Sequence, residues 1–339
     1  ETVERIAREI LSQLAEPVEI NGHVLNASCS IGVAIYPEDG SEFDGLLQKA
    51  DTAMYNAKAA GRNTYRFFDP AMNARVREHM LLQSRLHKAL GGNEFWLAYQ
   101  PKFSIDGKRI TGIEALLRWR DPEVGDLSPG RFISVAENCG LIVPIGRWVI
   151  ETACRQAAAW HAAGLAPPAV SVNLSALQLR NGRLVESVAE ALAQSGLPPG
   201  LLEFELTESI LLQDVDNTLD TVRRLKALGV LLSIDDFGTG YSSLAYLKHL
   251  PVHRLKIDRS FVQEIEVSRD DHAICSATIA LGHHLDLELV AEGVESEGQR
   301  RQLEKLGCDV LQGFLYSRPL PAEEVIPFLK NWQIAHPAA

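Results

Sequence analysis

The sequence has few cysteines, no long apolar run and no surplus of positive charge. Its five cysteines, Cys29, Cys139, Cys154, Cys275 and Cys308, are scattered and odd in number, and no CxxC pair occurs. That pattern argues against a disulfide framework and predicts reduced thiols in a cytoplasmic protein, used for packing. No apolar stretch approaches the roughly 18 residues that span a bilayer, and the first residues do not read as a signal peptide. This segment is therefore expected to make no membrane contact, and any anchor would belong to an upstream part of a longer protein. Acidic residues outnumber basic ones, 44 to 33, for a net charge of −11. A general surface for nucleic-acid polymers is disfavoured on that ground. An anionic ligand would need local cations or metals. His283 and His284 are adjacent but lack a partner at metal-ligand spacing, so they read as structural.

What is present is a chain of 339 residues, 46% hydrophobic and 23% charged, the balance of a soluble globular protein of about two domains. Residues 2–14 read as an amphipathic helix, with Val3, Ile6, Ile10 and Leu14 on one stripe. Residues 18–35 read as two strands joined near Asn21-Gly22. A second helix is expected over 43–60, with Leu46, Leu47, Ala50, Met54 and Ala57 inward and Gly61 ending it, then a strand over 64–68. Asp69-Pro70 starts a linker helix that runs to about Leu90, where Gly91-Gly92 closes it.

From Phe95 onward strands and helices alternate. Strands are expected over 95–104, 109–119, 169–174, 201–206, 230–235, 254–258, 288–292 and 309–312. The first two flank the tight turn at Asp106-Gly107 and should pair antiparallel. Eight strands alternating with helices over about 240 residues predict an α/β fold, a (β/α)₈ TIM-like barrel with an antiparallel first strand. The expected organisation is a partial α+β segment over 1–68, the linker helix over 69–92 and the barrel over 93–339.

The stretch from Leu231 to Phe261 organises the chemistry. A buried strand there runs into two adjacent carboxylates, Asp235 and Asp236, followed by a turn with Gly238 and Gly240. A short helix is expected over 242–249, and the next strand carries Lys256. Carboxylates beside a core are costly unless cations meet them. Polar residues also end the other strands or lie in their last turn: Glu114, Asn173, Glu205, Asp235, Lys256, Glu292 and Gln312. Barrels of this type carry their chemistry at that end. Oxygen donors without clustered His or Cys suit Mg²⁺ or Mn²⁺ rather than zinc. Several carboxylates around one ion would over-neutralise it, so two ions sharing Asp235 fit better. Such a pair clamps the attacking and leaving oxygens of a phosphoryl group. Lys256 would orient or deprotonate the water, or neutralise phosphate charge. The residues alone thus point to a metal-dependent barrel enzyme acting on a phosphoester.

Two resemblances add to this reading. SIGVAIYPEDG with LLQKADTAMYNAKAAGRNTYRFF resembles the C-terminal half of a GGDEF (diguanylate cyclase) domain, whose signature does not occur within residues 1–29. The resemblance therefore implies no cyclase site in this segment. EALLRW at Glu114, SVNLS around Asn173, ELTES at Glu205, DDFGTGYSS from Asp235, KIDRSF from Lys256, AEGVES around Glu292 and QGFLYSRPL from Gln312 together resemble an EAL domain, with no departure at any motif position. That resemblance implies hydrolysis of cyclic di-GMP to linear pGpG with two Mg²⁺ or Mn²⁺, and inhibition by Ca²⁺. It implies that Glu114, Asn173, Glu205 and Asp235 bind one metal, and that Asp235, Asp236 and Glu292 serve the second or its waters. By the same resemblance Lys256 assists the nucleophilic water, with Asp235 and Glu292 also catalytic. Gln312 hydrogen-bonds in the cluster, Arg118 contacts a substrate phosphate, and Leu116 and Pro319 line guanine pockets. Glu208 anchors the 236–243 loop, against the plainer reading of an acid at a helix start. A homodimer through the barrel is also implied. A receptor that binds cyclic di-GMP without turnover is the alternative, but such relatives lack one or more ligands or the loop, and all are present here.

Overall fold

The computed structural model describes residues 2–15, 18–20, 23–25, 27–163, 169–211, 215–239, 247–248 and 250–336. The chain divides into two compact units, one formed by residues 1–88 with 134–139 and the other by 89–133 with 140–339.

The first unit contains α1 (Thr2–Leu14), β1 (Val18–Ile20), β2 (His23–Leu25), β3 (Ile31–Val33), α2 (Phe43–Ala59), β4 (Tyr65–Phe67) and α3 (Pro70–Ala89, of which residues to 88 belong here). β1 and β2 pair antiparallel, as the sequence predicts, and their connecting Asn21-Gly22 lies outside the described residues. The stretch 18–35 holds a third strand as well, because β3 leaves the hairpin and pairs in parallel with β4. Asp69 caps α3 by accepting the Ala71 N–H at 2.9 Å. One expectation of burial fails: Leu47 of α2 is exposed. The stripe of α1, Val3, Ile6, Ile10 and Leu14, is exposed as well. Among the described residues this unit has two two-stranded sheets, which offer little surface against apolar helix faces.

The second unit is the barrel. Its elements are β5 (Phe95–Ser104), β6 (Ile110–Asp121), β7 (Gly125–Leu127), α4 (Pro129–Asn138, shared between the units), α5 (Ile142–Ala162), β8 (Ala169–Leu174), α6 (Ala176–Arg180), α7 (Leu184–Ser195), β9 (Leu202–Thr207), α8 (Glu208–Leu211), α9 (Val215–Ala227), β10 (Leu231–Phe237), β11 (Arg254–Ile257), α10 (Arg259–Gln263), α11 (Arg269–His284), β12 (Glu288–Ala291), α12 (Glu297–Leu306), β13 (Val310–Leu311), β14 (Leu320–Pro321) and α13 (Ala322–Ala335). Strand order is β5-β6-β8-β9-β10-β11-β12-β13, and β13 pairs back onto β5 to close the ring. β6 and β8–β13 run parallel, while β5 is antiparallel to both neighbours, as the sequence predicts.

Alternation sorts the side chains. On β9, Leu202, Phe204 and Leu206 share one face and are fully buried. Glu203 and Glu205 share the opposite face. Glu114 is not at the end of its strand, as expected, but fifth in the long β6. Only Gly112–Ala115 of β6 pairs with β8, and the strand then continues as a ribbon with β5 and β7. Glu114 therefore ends the barrel portion rather than the strand. The helix expected over 242–249 falls largely outside the described residues, which include only Leu247 and Lys248 of it. All five cysteines are free thiols; Cys154, Cys275 and Cys308 are buried, in line with a packing role, while Cys29 and Cys139 are half-buried.

Candidate active site

The strand ends converge on a cavity of about 250 Å³ whose lining includes Glu114, Leu116, Asp235, Glu292 and Gln312. β6 contributes Glu114, whose Oε1 accepts Asn173 Nδ2 of β8 at 2.7 Å. Its Oε2 accepts Gln312 Nε2 at 2.6 Å. Gln312 also donates to Gln100 Oε1 at 3.2 Å, while its own Oε1 is buried without a hydrogen-bond partner among the described residues.

Lys256 of β11 is the hub. Its Nζ lies 2.5 Å from Glu205 Oε2, 3.0 Å from Asp235 Oδ1 and 2.5 Å from Glu292 Oε1. It has no exposed surface. Burial alone would depress its pKa, but Asp235, Glu114, Glu205 and Glu292 together hold it well above the ordinary lysine value. Glu205 on β9 has its other oxygen, Oε1, 2.5 Å from Lys102 Nζ. Burial would raise Glu205, yet Lys102 and Lys256 outweigh it and hold the carboxyl well below the usual range.

Asp236 owes its position to an irregularity. The register of β10 against β11 shifts between Ile234 and Phe237, a bulge. Within it Asp236 takes φ +52°, and its N–H donates to Asp235 Oδ1 at 2.9 Å. Adjacent residues of a regular strand point to opposite faces. Here the bulge brings oxygens of Asp235, Asp236 and Glu292 within 4.8 Å of one another. Burial first, then the charges of Asp235 and Asp258, pushes Asp236 up to about 6. Burial, with Asp235, Glu114 and Glu205 exceeding the pull of Lys256, pushes Glu292 up to about 8.

Beside this cluster, Glu208 begins α8, and its Oε2 accepts the Gly238 N–H at 3.0 Å. Gly238 has φ +96°, which favours glycine. Thr239 Oγ1 donates to Asp236 O at 2.8 Å within the same turn, and residues 240–246 lie outside those described. Leu116 is on the cavity wall. Arg118 is half-buried with its guanidinium on Leu117 O at 3.0 Å, and Pro319 is half-buried. Neither of the latter two is among the described lining residues. His283 pairs with Asp309 at 3.0 Å, away from the cavity lining.

The sequence reading missed Lys102 and Gln100, which stand on β5 two residues apart. Gln100 faces Glu114 in register and Lys102 faces Gly112. The period-2 alternation through Gln100 was the available signal, since it places both residues on the face toward Glu114.

Comparison with known proteins gives two family matches, the EAL domain over residues 83–319 and the diguanylate cyclase GGDEF domain over residues 1–64. The "bifunctional diguanylate cyclase/cyclic di-GMP phosphodiesterase MucR" of Pseudomonas aeruginosa is 48% identical over 321 residues, covering 95% of this chain and 47% of that protein. The "signaling protein YkoW" of Bacillus subtilis is 42% identical over 324 residues, covering 96% of this chain and 40% of that one. The chain thus spans less than half the length of either relative. Among solved structures, the "PaMucR phosphodiesterase, c-di-GMP complex" superposes with a TM-score of 0.70 at 50% identity, covering 72% of this chain and 99% of that one.

Proposed function

The chain belongs to the EAL-domain family, and from that premise and the geometry of its site we propose that it is a metal-dependent phosphodiesterase hydrolysing cyclic di-GMP to linear pGpG. The observation that carries the reading is the buried Lys256 ammonium among Glu205, Asp235 and Glu292, beside the close carboxylate trio of Asp235, Asp236 and Glu292.

The donor set fits hard divalent cations. All the candidate ligands are oxygens, and the Oε1 of Gln312 is a further buried acceptor with no donor among the described residues. Five carboxylates, Glu114, Glu205, Asp235, Asp236 and Glu292, face two ammoniums, Lys102 and Lys256, an excess of three negative charges when all are ionised. Two Mg²⁺ or Mn²⁺ with one bound phosphodiester would balance that excess. Glu114, Asn173, Glu205 and Asp235 would hold one cation, and Asp235, Asp236 and Glu292 the other. Bound there, such cations supply an acidified water and neutralise phosphate charge.

The chain's own groups do the rest. Lys256, held charged by its neighbours, acts as a hydrogen-bond donor toward the attacking water or the phosphate rather than as a base. Asp235 and Glu292, within its reach, are the groups able to accept a proton there. Arg118 is assigned a phosphate contact, suited to its planar fork, and Leu116 and Pro319 the guanine contacts. Gln312 orients Glu114. Glu208 holds the turn that carries Asp236. The proposed organisation keeps the barrel at 93–339, a linker helix at 69–92 and a segment over 1–68 without a cyclase site. No described helix is long and apolar enough to cross a membrane. A homodimer through the barrel and a cytoplasmic setting are part of the same proposal.

The test is incubation of the purified chain with cyclic di-GMP and Mg²⁺ or Mn²⁺, with products separated by chromatography. Accumulation of linear pGpG is expected. Tight binding without any linear product under either cation would replace the enzyme by a receptor.

A further inference from the structure

Lys102 enters the charge balance of the site, but the proposed chemistry gives it no role of its own. It lies on β5, 1% exposed, one inward position deeper than Gln100. Its Nζ is 2.5 Å from Glu205 Oε1 and 2.9 Å from Ser171 Oγ. Gly112, its register partner on β6, makes room for it: a Cβ there would stand 3.1 Å from Lys102 Cδ.

The two oxygens of Glu205 explain why a second ammonium is present. Lys256 Nζ donates to Glu205 Oε2 and stands in ion-pair distance of Asp235 and Glu292. Glu205 Oε1 takes its hydrogen bond from Lys102 instead, and a buried ionised oxygen without a donor is costly. Were Lys102 absent, Lys256 would be drawn toward both oxygens of Glu205, and its contacts to Asp235 or Glu292 would loosen.

We propose that Lys102 is a positioning residue for the phosphodiesterase reaction, acting through Glu205: it holds Oε1 deep in the barrel, leaves Oε2 to Lys256, and so keeps the Lys256 ammonium among Asp235 and Glu292. This inference rests on the hydrolytic reading given above. A merely structural lysine would affect melting alone. A positioning lysine affects turnover more than substrate binding, since displacing a reacting group by about 1 Å costs on the order of 100-fold.

The experiment compares the wild-type chain with Lys102→Met, Glu205→Gln and the double variant, measuring kcat, KM, Mn²⁺ affinity by electron paramagnetic resonance, and melting. Lys102→Met is expected to lose about 10- to 100-fold in kcat, with KM within about threefold of wild type. Mn²⁺ affinity should not weaken, because the change removes a positive charge from a cation site. The double variant should be no slower than Glu205→Gln alone, because Lys102 has nothing left to position. The double variant also buries no unpaired charge, so it keeps the test open if Lys102→Met does not fold. Wild-type kcat in folded Lys102→Met overturns the inference. So does a Mn²⁺ affinity that falls in step with kcat, or a double variant well below Glu205→Gln. Wild-type protein that binds Mn²⁺ and cyclic di-GMP without turnover overturns the hydrolytic reading instead.

Discussion

At the scale of single residues, the site is a problem in charge. Lys256 is met on three sides by carboxylates, and removing its ammonium takes away the cation that the three share. Lys256→Ala should therefore lower kcat by about 100-fold or more while cyclic di-GMP binding, followed by calorimetry, stays within a few-fold. Near-normal turnover would remove Lys256 from the mechanism. Asp235→Asn should abolish turnover and Glu114→Ala should weaken metal binding; an unchanged metal titration in the latter would end its ligand role. The ligand set also makes a prediction about ions. Activity is expected with Mg²⁺ or Mn²⁺ and strong inhibition with Ca²⁺, whose larger and looser oxygen shell does not suit closely spaced paired ions. Comparable turnover in Ca²⁺ would count against two-cation chemistry.

At the scale of elements, β10 and the turn after it set the geometry. The bulge at Asp235-Asp236 places both carboxylates on one side, and the turn is tied down by the Gly238 N–H donating to Glu208 Oε2. Glu208→Gln keeps the shape of that acceptor and loses its charge, which weakens the bond. Turnover should fall clearly, the melting temperature should hardly move, and raised Mg²⁺ should recover part of the loss by favouring the ordered turn. If Glu208 only favoured the start of α8, the variant would lose about 1 kcal/mol or less and remain fully active. Gly238→Ala should mimic the loss, because φ +96° strains any side chain and its Cβ would stand 3.0 Å from Phe261. Kinetics against Mg²⁺ concentration beside a thermal melt decides between the two roles.

At the scale of the whole molecule, the cluster links stability to pH. Glu292 is raised to about 8 and Asp236 to about 6, whereas both titrate near 4 in an unfolded chain. Between about pH 4 and 8 the folded, metal-free protein therefore binds more protons than the unfolded one, and its stability falls as pH rises. Glu205 works in the opposite sense, but its contribution is lost only at acid pH, below its unfolded value. The lysines keep theirs throughout this window, because their raised values lie far above it. Melting temperature in a chelator should thus decline from pH 5 to 8. Mg²⁺ should reverse the decline most strongly at the upper end, where the carboxylates are free of protons. A flat or rising profile in chelator would show that the cluster is not under this strain.

Much of this was legible in the chain. Strand alternation and the helices between strands determined the barrel and its antiparallel opening, because periodicity follows from backbone geometry. The residue types near the strand ends determined an oxygen-rich, metal-compatible site, because ligand hardness is a property of the side chain itself. The tertiary structure alone decided the rest. Regular alternation would put Asp235 and Asp236 on opposite faces, and only the shifted pairing with β11 brings their oxygens together. Glu114 looked like a strand end, and only the extent of β8 pairing shows that it ends the barrel portion of a longer strand. The spacing puts Val3, Ile6, Ile10 and Leu14 on one stripe of α1, yet whether that stripe is covered depends on what packs against it, and in the structure it is exposed. Lys102 belongs to no pattern around Glu205, more than a hundred residues away, and meets it because ring closure brings β5 across to the same interior. Sequence spacing fixes which face a side chain occupies; which partners it meets across the barrel depends on register and closure, which are set by all the strands together.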